Sequence, residues 1–342
     1  MKILLVGGTR FVGRHLVDVA LARGHTITLF NRGKSNADLF PNIEQIRGDR
    51  ANADDLALLQ SQTWDAVIDT CGYAPNIVRL SAQALKDYTK HYTFISSISV
   101  YAETRVAGIT EDHPVGTLSE EAANAIQKNE EVTGETYGPA KALCEQEVLR
   151  AFPNSALVIR PGLIVGPNDV TDRFTYWPVR VAQGGAVLAP GSPDWVTQVI
   201  DVRDLAEWTI SRVEVQQTGI YQATGPAHEL TFGELLLTCQ QASNAQSKLV
   251  WVDEQWLLDQ NVAPWSDLPM WIPTTDPDYV GFSRMNCAKA IAAGLHFRPI
   301  AETVRDTLTW HATRGVTELK AGLKAGLKAE REDELLAKWA ER

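Results

Sequence analysis

The chain has 342 residues, 44% of them hydrophobic and 22% charged, with 42 acidic against 32 basic side chains and a formal net charge of −10. This is the composition of an ordinary soluble globular protein with enough length for a full core, and its acidity argues against a nucleic-acid partner, because backbone binding relies on concentrated Lys and Arg. Cys71, Cys144, Cys239 and Cys287 are scattered without Cys-x-x-Cys spacing, so no metal site and no compact disulfide framework is expected, and a cytoplasmic location fits best.

The apolar run Ile3 to Val6 is too short for a membrane span and breaks at Gly7-Gly8, which reads as a buried parallel strand. Phe11, Val12, Leu16, Val17, Ala20 and Leu21 then recur at helical spacing up to Gly24, and Thr26 to Phe30 forms a second strand. Glycines at a strand-to-helix junction let backbone approach a pyrophosphate, whose charge is met by the free N–H groups and dipole of the helix. The spacing of Gly7 and Gly13 in GGTRFVG resembles the Gly-x-x-Gly-x-x-Gly signature of the short-chain dehydrogenase/reductase superfamily, in its extended and atypical epimerase/dehydratase-type branches. Arg10 replaces the middle glycine. The resemblance runs from Met1 to about Gly225 and implies a Rossmann sheet with a nicotinamide dinucleotide held at Gly7, Thr9, Arg10, Phe11, Val12 and Gly13.

After the second strand, Asn31, Arg32 and Lys34 stand where relatives that use NAD place a carboxylate against the adenosine ribose, so NADP(H) is favoured and NAD(H) is the alternative. Ile43 to Arg47 is a third strand. By the resemblance Asp49 would touch the adenine, and a solvated loop carboxylate is the other reading. The fourth strand, Ala66 to Asp69, ends at Thr70, Cys71 and Gly72, small residues that let backbone pass close to a cofactor; Ile77 to Leu85 is helical and Tyr92 to Ile95 is the fifth strand. The alternation of strand and helix predicts an α/β fold with a doubly wound parallel sheet.

The fifth strand runs into Ser96-Ser97-Ile98-Ser99, and Tyr137-Gly-Pro-Ala-Lys141 places a Tyr and a Lys four apart on a helix expected to start near Tyr137, with Pro139 in its first turn. A phenol titrates near pH 10, and a neighbouring ammonium favours phenolate. The set matches the superfamily's active-site motif, which implies Ser97 to orient the substrate oxygen, Tyr137 as acid/base, and Lys141 as its electrostatic partner and grip on the nicotinamide ribose.

Ala156 to Arg160 is a sixth strand. The segment after it opens a smaller C-terminal substrate domain, dividing the chain into a dinucleotide-binding Rossmann domain, 1–165, and a second domain, 166–342, with 199–225 returning to the first. Asp172, Arg173, Phe174, Tyr176, Trp177 and Trp195 are candidate substrate lining, with core packing or a subunit contact as the competing readings, and Arg203 is a further candidate cation. The Trp-rich stretch 251–271 packs over the site or against a second copy, which leaves a homodimer open. Leucines four apart from Leu319 to Leu327, followed by Leu335, Leu336 and Trp339, predict an amphipathic tail helix docked on its own domain.

The expected reaction is hydride transfer to or from a carbonyl or carbinol carbon of a small molecule. Dehydration is not expected, because Ile98 and Ser99 stand where dehydratases of this superfamily carry an Asp-Glu pair. Leu163 and Thr197 replace the Asn and Arg that hold a sugar nucleotide's diphosphate, which leaves a nucleotide-sugar epimerase as the alternative. A third possibility, a non-catalytic binding protein, comes from GGTRFVG, which also resembles the loop of chloroplast stem-loop RNA-binding relatives, and the resemblance to atypical members adds redox sensing.

Overall fold

In the computed structural model, which describes residues 1–315 and 322–342, strands β1 (Lys2–Val6), β2 (Thr26–Asn31), β3 (Glu44–Arg47), β4 (Ala66–Asp69), β5 (Tyr92–Ile95) and β6 (Ala156–Pro161) follow the expected order. With β10 (Gly219–Ala223) they form a seven-stranded sheet in the order β10-β6-β5-β4-β1-β2-β3, every pair parallel. The two-residue period of the strands decides which helices they meet. From β1, Leu4 and Val6 face Val78 and Leu85 of the helix Pro75–Leu85 and Val148 of the helix Gly134–Ala151. Ile3 and Leu5 face Leu16 and Val17 of the helix Phe11–Ala22 and Ala206 and Ile210 of the helix Val202–Glu214. The strand order reverses at β1, between β2 and β4, so a crevice opens at the carboxyl ends of β1 and β4.

The second part is built on β7 (Leu163–Val165), β9 (Val196–Asp201) and β11 (Gly225–Thr231) in one sheet, and on β8 (Gly185–Pro190) paired with β12 (Ser247–Val252) in another. Trp177, Phe232 and Trp271 are buried at its core. The segment 199–225 is shared: Val199 to Asp201 belongs to the small β11-β9-β7 sheet, whereas the helix after it and β10 lie with the main sheet.

Two elements differ from expectation. The motif helix begins at Gly134 rather than near Tyr137, because the Thr133 hydroxyl accepts from the Thr136 N–H and caps it there, so Pro139 lies in the second turn. In the tail, Leu319 lies outside the described residues, and among those described the helix spans Ala329–Ala340. Gly322 and Gly326 have φ of +76° and +102°, backbone that no right-handed helix contains. That short helix docks on the second part through buried Leu335 and through Glu332, which binds Arg180 and the Leu188 N–H. Among the described residues no helix is long and apolar enough to cross a membrane.

Candidate active site

The glycine junction has the shape a pyrophosphate needs. Gly7 and Gly8 have φ of +104° and +95°, and a Cβ on Gly13 would lie 2.7 Å from Gly8 Cα, so only glycine lets the helix Phe11–Ala22 start against the turn. Arg10 sits at the helix N-cap with φ −115°, which any L-residue adopts, so the missing middle glycine leaves the backbone unstrained. That helix has no side-chain cap and no acidic residue in its first turn, leaving its N–H groups for an anion. A nicotinamide dinucleotide fits this cradle. Thr9 is buried with its carbonyl taken by Asn36, Arg10 is exposed, and Phe11 and Val12 are half-buried behind it.

Around the cradle, Asn31 holds the loop: its amide donates to the Gly7 carbonyl at 3.2 Å and accepts from the Gly33 N–H at 2.9 Å and from Arg47. Arg32 and Lys34 are exposed, Arg32 within 3.8 Å of Asp49 and 3.7 Å of Glu130. Asp49 also caps its own loop by accepting from the Ala51 N–H. The end of β4 is fastened by a buried cluster that sequence patterning did not single out. Arg50 binds both oxygens of Asp69 at 2.6 Å, and Asp69 also accepts from the Tyr92 hydroxyl and the Cys71 N–H. Burial opposes ionisation of Asp69, but the Arg50 charge and hydrogen bonds overcome it and hold the carboxyl below its usual range. The Cys71 thiol is pushed up by burial, and Gly72 packs so closely on Val78 and Phe94 that a Cβ would lie 2.6 Å from the first.

Ser97 caps the short turn Ile98–Val100 through the Ser99 N–H. Gly138 lets the motif helix press on that turn, since a Cβ there would lie 2.0 Å from the Ser99 carbonyl oxygen. This close approach sets Tyr137 beside Ser97. Burial raises the pKa of the phenol, while a hydrogen bond with Ser97 and the charge of Arg173 pull it down. Lys141, expected beside the phenol, is engaged by the sheet. Its buried ammonium donates to the Gly72 carbonyl at 2.9 Å and the Ile95 carbonyl at 2.6 Å, tying the ends of β4 and β5, and lies 4.2 Å from the centre of the Phe94 ring. Burial lowers its pKa. Tyr73, missed in the sequence, has its ring centre 6.3 Å from that of Tyr137 and a phenol pushed up to about 12 by burial.

Of the expected substrate lining, the structure brings one residue to this place. Asp172 is fully buried against Arg314 and the Lys324 N–H. Phe174, Tyr176 and Trp177 belong to the core of the second part, where the Trp177 indole donates to the Pro269 carbonyl, and Trp195 packs edge-on against Phe232. Arg203 is paired with Asp201 and Asp306. Arg173 alone has its charge acting on Tyr137. Trp265, from the Trp-rich stretch, stacks over Arg173 at 5.5 Å, so this part of the stretch packs over the site from within the same chain. Among the described residues no cluster of His, Cys, Asp and Glu forms a metal site.

The model of the NAD dependent epimerase/dehydratase family matches residues 3–221. A chloroplast stem-loop binding protein of 41 kDa from Arabidopsis thaliana is 27% identical over 260 residues, 70% of this chain and 63% of its own length. A 2-alkyl-3-oxoalkanoate reductase from Stenotrophomonas maltophilia is 31% identical over 185 residues, 49% of this chain and 52% of its own length. The chain thus spans between half and two thirds of these relatives. Two solved structures share the fold: WbmH of Bordetella bronchiseptica in complex with NAD+, with a TM-score of 0.67 and 17% identity over 92% of this chain and 99% of that one, and UDP-N-acetylglucosamine 4-epimerase of Bacillus cereus, with a TM-score of 0.66 and 17% identity over 92% and 100%.

Proposed function

The chain belongs to the NAD dependent epimerase/dehydratase family, and from that premise we propose that it is an oxidoreductase that interconverts a carbonyl and a carbinol on a small substrate. The observation that carries the reading is the close packing of the Tyr137 helix, through Gly138, on the turn that Ser97 caps at the sheet edge, where the Ser97 hydroxyl and the Arg173 charge both favour the phenolate. A nicotinamide cofactor, when bound, would supply or accept the hydride. Its pyrophosphate would be held by the Gly7 to Gly13 turn and the start of the following helix.

Because burial keeps Tyr137 protonated at neutral pH, it donates its proton to the carbonyl oxygen as the alcohol forms, and takes the proton back in the reverse direction. Ser97, held by its own turn, orients that oxygen, and Arg173 offsets the charge left on the phenolate. Lys141 holds β4 and β5 at the spacing the site needs. Replacing Tyr137 with Phe keeps the ring and removes the proton, so turnover should fall by about 10²–10⁴-fold; near wild-type turnover would refute the role.

For the cofactor, the end of β2 carries neutral Asn31, and Arg10, Arg32 and Lys34 offer positive charge to a 2′-phosphate, which supports NADP(H). A charge-assisted pair of about 1.5–3 kcal/mol gives roughly a tenfold to hundredfold preference in titrations with NADPH and NADH. Leu163 packs against the core of the second part and Thr197 is buried in β9. That supports a substrate other than a nucleotide sugar.

A second reading follows from the stem-loop binding relative: RNA binding without catalysis. The net charge of −10 opposes it. Salt-sensitive RNA retention on filters, with no oxidoreductase activity, would establish it instead.

A further inference from the structure

The loop that leaves β7 carries an arginine, Arg173, that forms no ion pair among the described residues, although the charge of Asp169 in the same loop acts on it. The loop is fastened to the first helix at Pro167 and Asn168, where His15 Nε2 lies 2.9 Å from the Pro167 carbonyl oxygen and Arg14 donates to Asn168 Oδ1 at 2.8 Å. Four residues further on, Asp172 is held at φ +61° although it is not glycine. Such backbone persists only where its surroundings over-determine it. Here Arg314 and the Lys324 N–H bind the Asp172 carboxylate at 2.7 and 3.1 Å, and the side chain this fixes in place is the next one, Arg173.

The Arg173 guanidinium is half-buried, lies over the Trp265 ring, and donates from Nε to Thr171 Oγ1 at 3.2 Å. Among the described residues none accepts from Nη1 or Nη2, and no carboxylate lies within ion-pair distance. The nearby Asp169 carboxylate is taken by the Thr171 N–H and hydroxyl at 2.9 and 2.8 Å. Other inward arginines differ: Arg50, Arg160, Arg180 and Arg203 each bind a carboxylate. Trp265 is itself left-handed, at φ +65°, and meets Phe282 edge-on at 6.0 Å; Phe282 packs with Ile98, Val100 and Tyr101, around the turn that Ser97 caps. Arg173 is therefore held between the first helix and the serine turn, where Tyr137 stands.

We propose that Arg173 is the receptor for a carboxylate on the substrate, so that the site takes oxo acids and their hydroxy-acid products rather than neutral carbonyls. A half-buried charge with two parallel N–H donors left over matches a planar carboxylate. The inference rests on the Tyr137 reading for the place of the reacting carbon, and its test separates the two. Calorimetric titration of the NADP+-saturated protein compares 3-oxooctanoate, its methyl ester and dihydroxyacetone phosphate. The acid binds about ten- to hundredfold more tightly than the ester, Arg173→Gln abolishes that difference, and Arg173→Lys retains part of it. Equal affinity of the wild type for acid and ester, a preference that survives in Arg173→Gln, or tighter binding of the phosphate than of the acid overturns the proposal. Acid-selective binding in this titration, with no oxidation of NADPH when the same acid is offered to the NADPH-loaded protein, upholds the carboxylate site and removes only the reductase reading.

Discussion

Tyr137 works between opposing influences. Burial raises its pKa, and Ser97 and Arg173 lower it. Carbonyl reduction needs the phenol and alcohol oxidation needs the phenolate, so below the phenol's pKa the oxidation rate rises with pH while reduction stays level. Removing the Arg173 charge raises the pKa further. Arg173→Gln is thus expected to lower kcat for oxidation at every pH between 8 and 10, with a parallel slope, and to leave kcat for reduction at pH 7 much less affected. Profiles of kcat at saturating substrate check this; a variant whose oxidation profile shifts to lower pH would contradict it. Lys141, the residue expected to act on the phenol, gives its ammonium to two strand-end carbonyls, partners that the four-residue spacing on a helix does not reveal.

The helix Gly134–Ala151 and the turn after β5 form the edge of the candidate site by touching. Gly138 is the point of contact. A methyl group there would meet the Ser99 carbonyl oxygen at 2.0 Å, so helix or turn must move. Gly138→Ala is expected to cost about 1–3 kcal/mol in urea unfolding, and to lower kcat by roughly a hundredfold as Tyr137 shifts against Ser97. Gly134, in the same helix, has open space around its Cβ position. Gly134→Ala should leave kcat unchanged and be neutral or stabilising by about 0.4–1 kcal/mol. Equal behaviour of the two variants would show that the contact does not position the Tyr.

Over the whole molecule, two histidines, half-buried His15 and buried His91, join distant segments: His15 meets the Pro167 carbonyl oxygen and His91 the Gln217 carbonyl oxygen. Burial lowers both pKa values below 6.5. As pH falls below 6.5 the unfolded chain binds protons that the folded chain refuses, so these groups lose stability for the fold until their folded pKa values are passed. Asp69 and Asp201, held low by arginines, add a loss only below about pH 3.8. Asp169, raised by burial, acts the opposite way. The measurement is therefore a comparison of urea midpoints at pH 7.5 and 5.5 in wild type, His15→Gln and His91→Gln. Each variant should lose less stability on acidification than the wild type, and a loss as large as the wild type's would refute the assignment for that histidine.

The main sheet was legible in the sequence because short apolar runs, glycine breaks and helical periodicity are local signals, and β1 to β6 lie where those signals place them. The glycine turn and the Ser97 and Tyr137 candidates could be picked out from short local motifs and their order along the chain. The tertiary structure alone decided what each polar or aromatic side chain after β7 does. Asp172, Arg173, Trp177 and Arg203 look alike as candidates in the sequence, yet their fates depend on Arg314, Trp265, Pro269 and Asp306, 142, about 90, 92 and 103 residues away. Burial and pairing are set by such distant partners, and no local pattern encodes them. The charge facing the Tyr137 phenol therefore emerged only once the chain had folded back on itself.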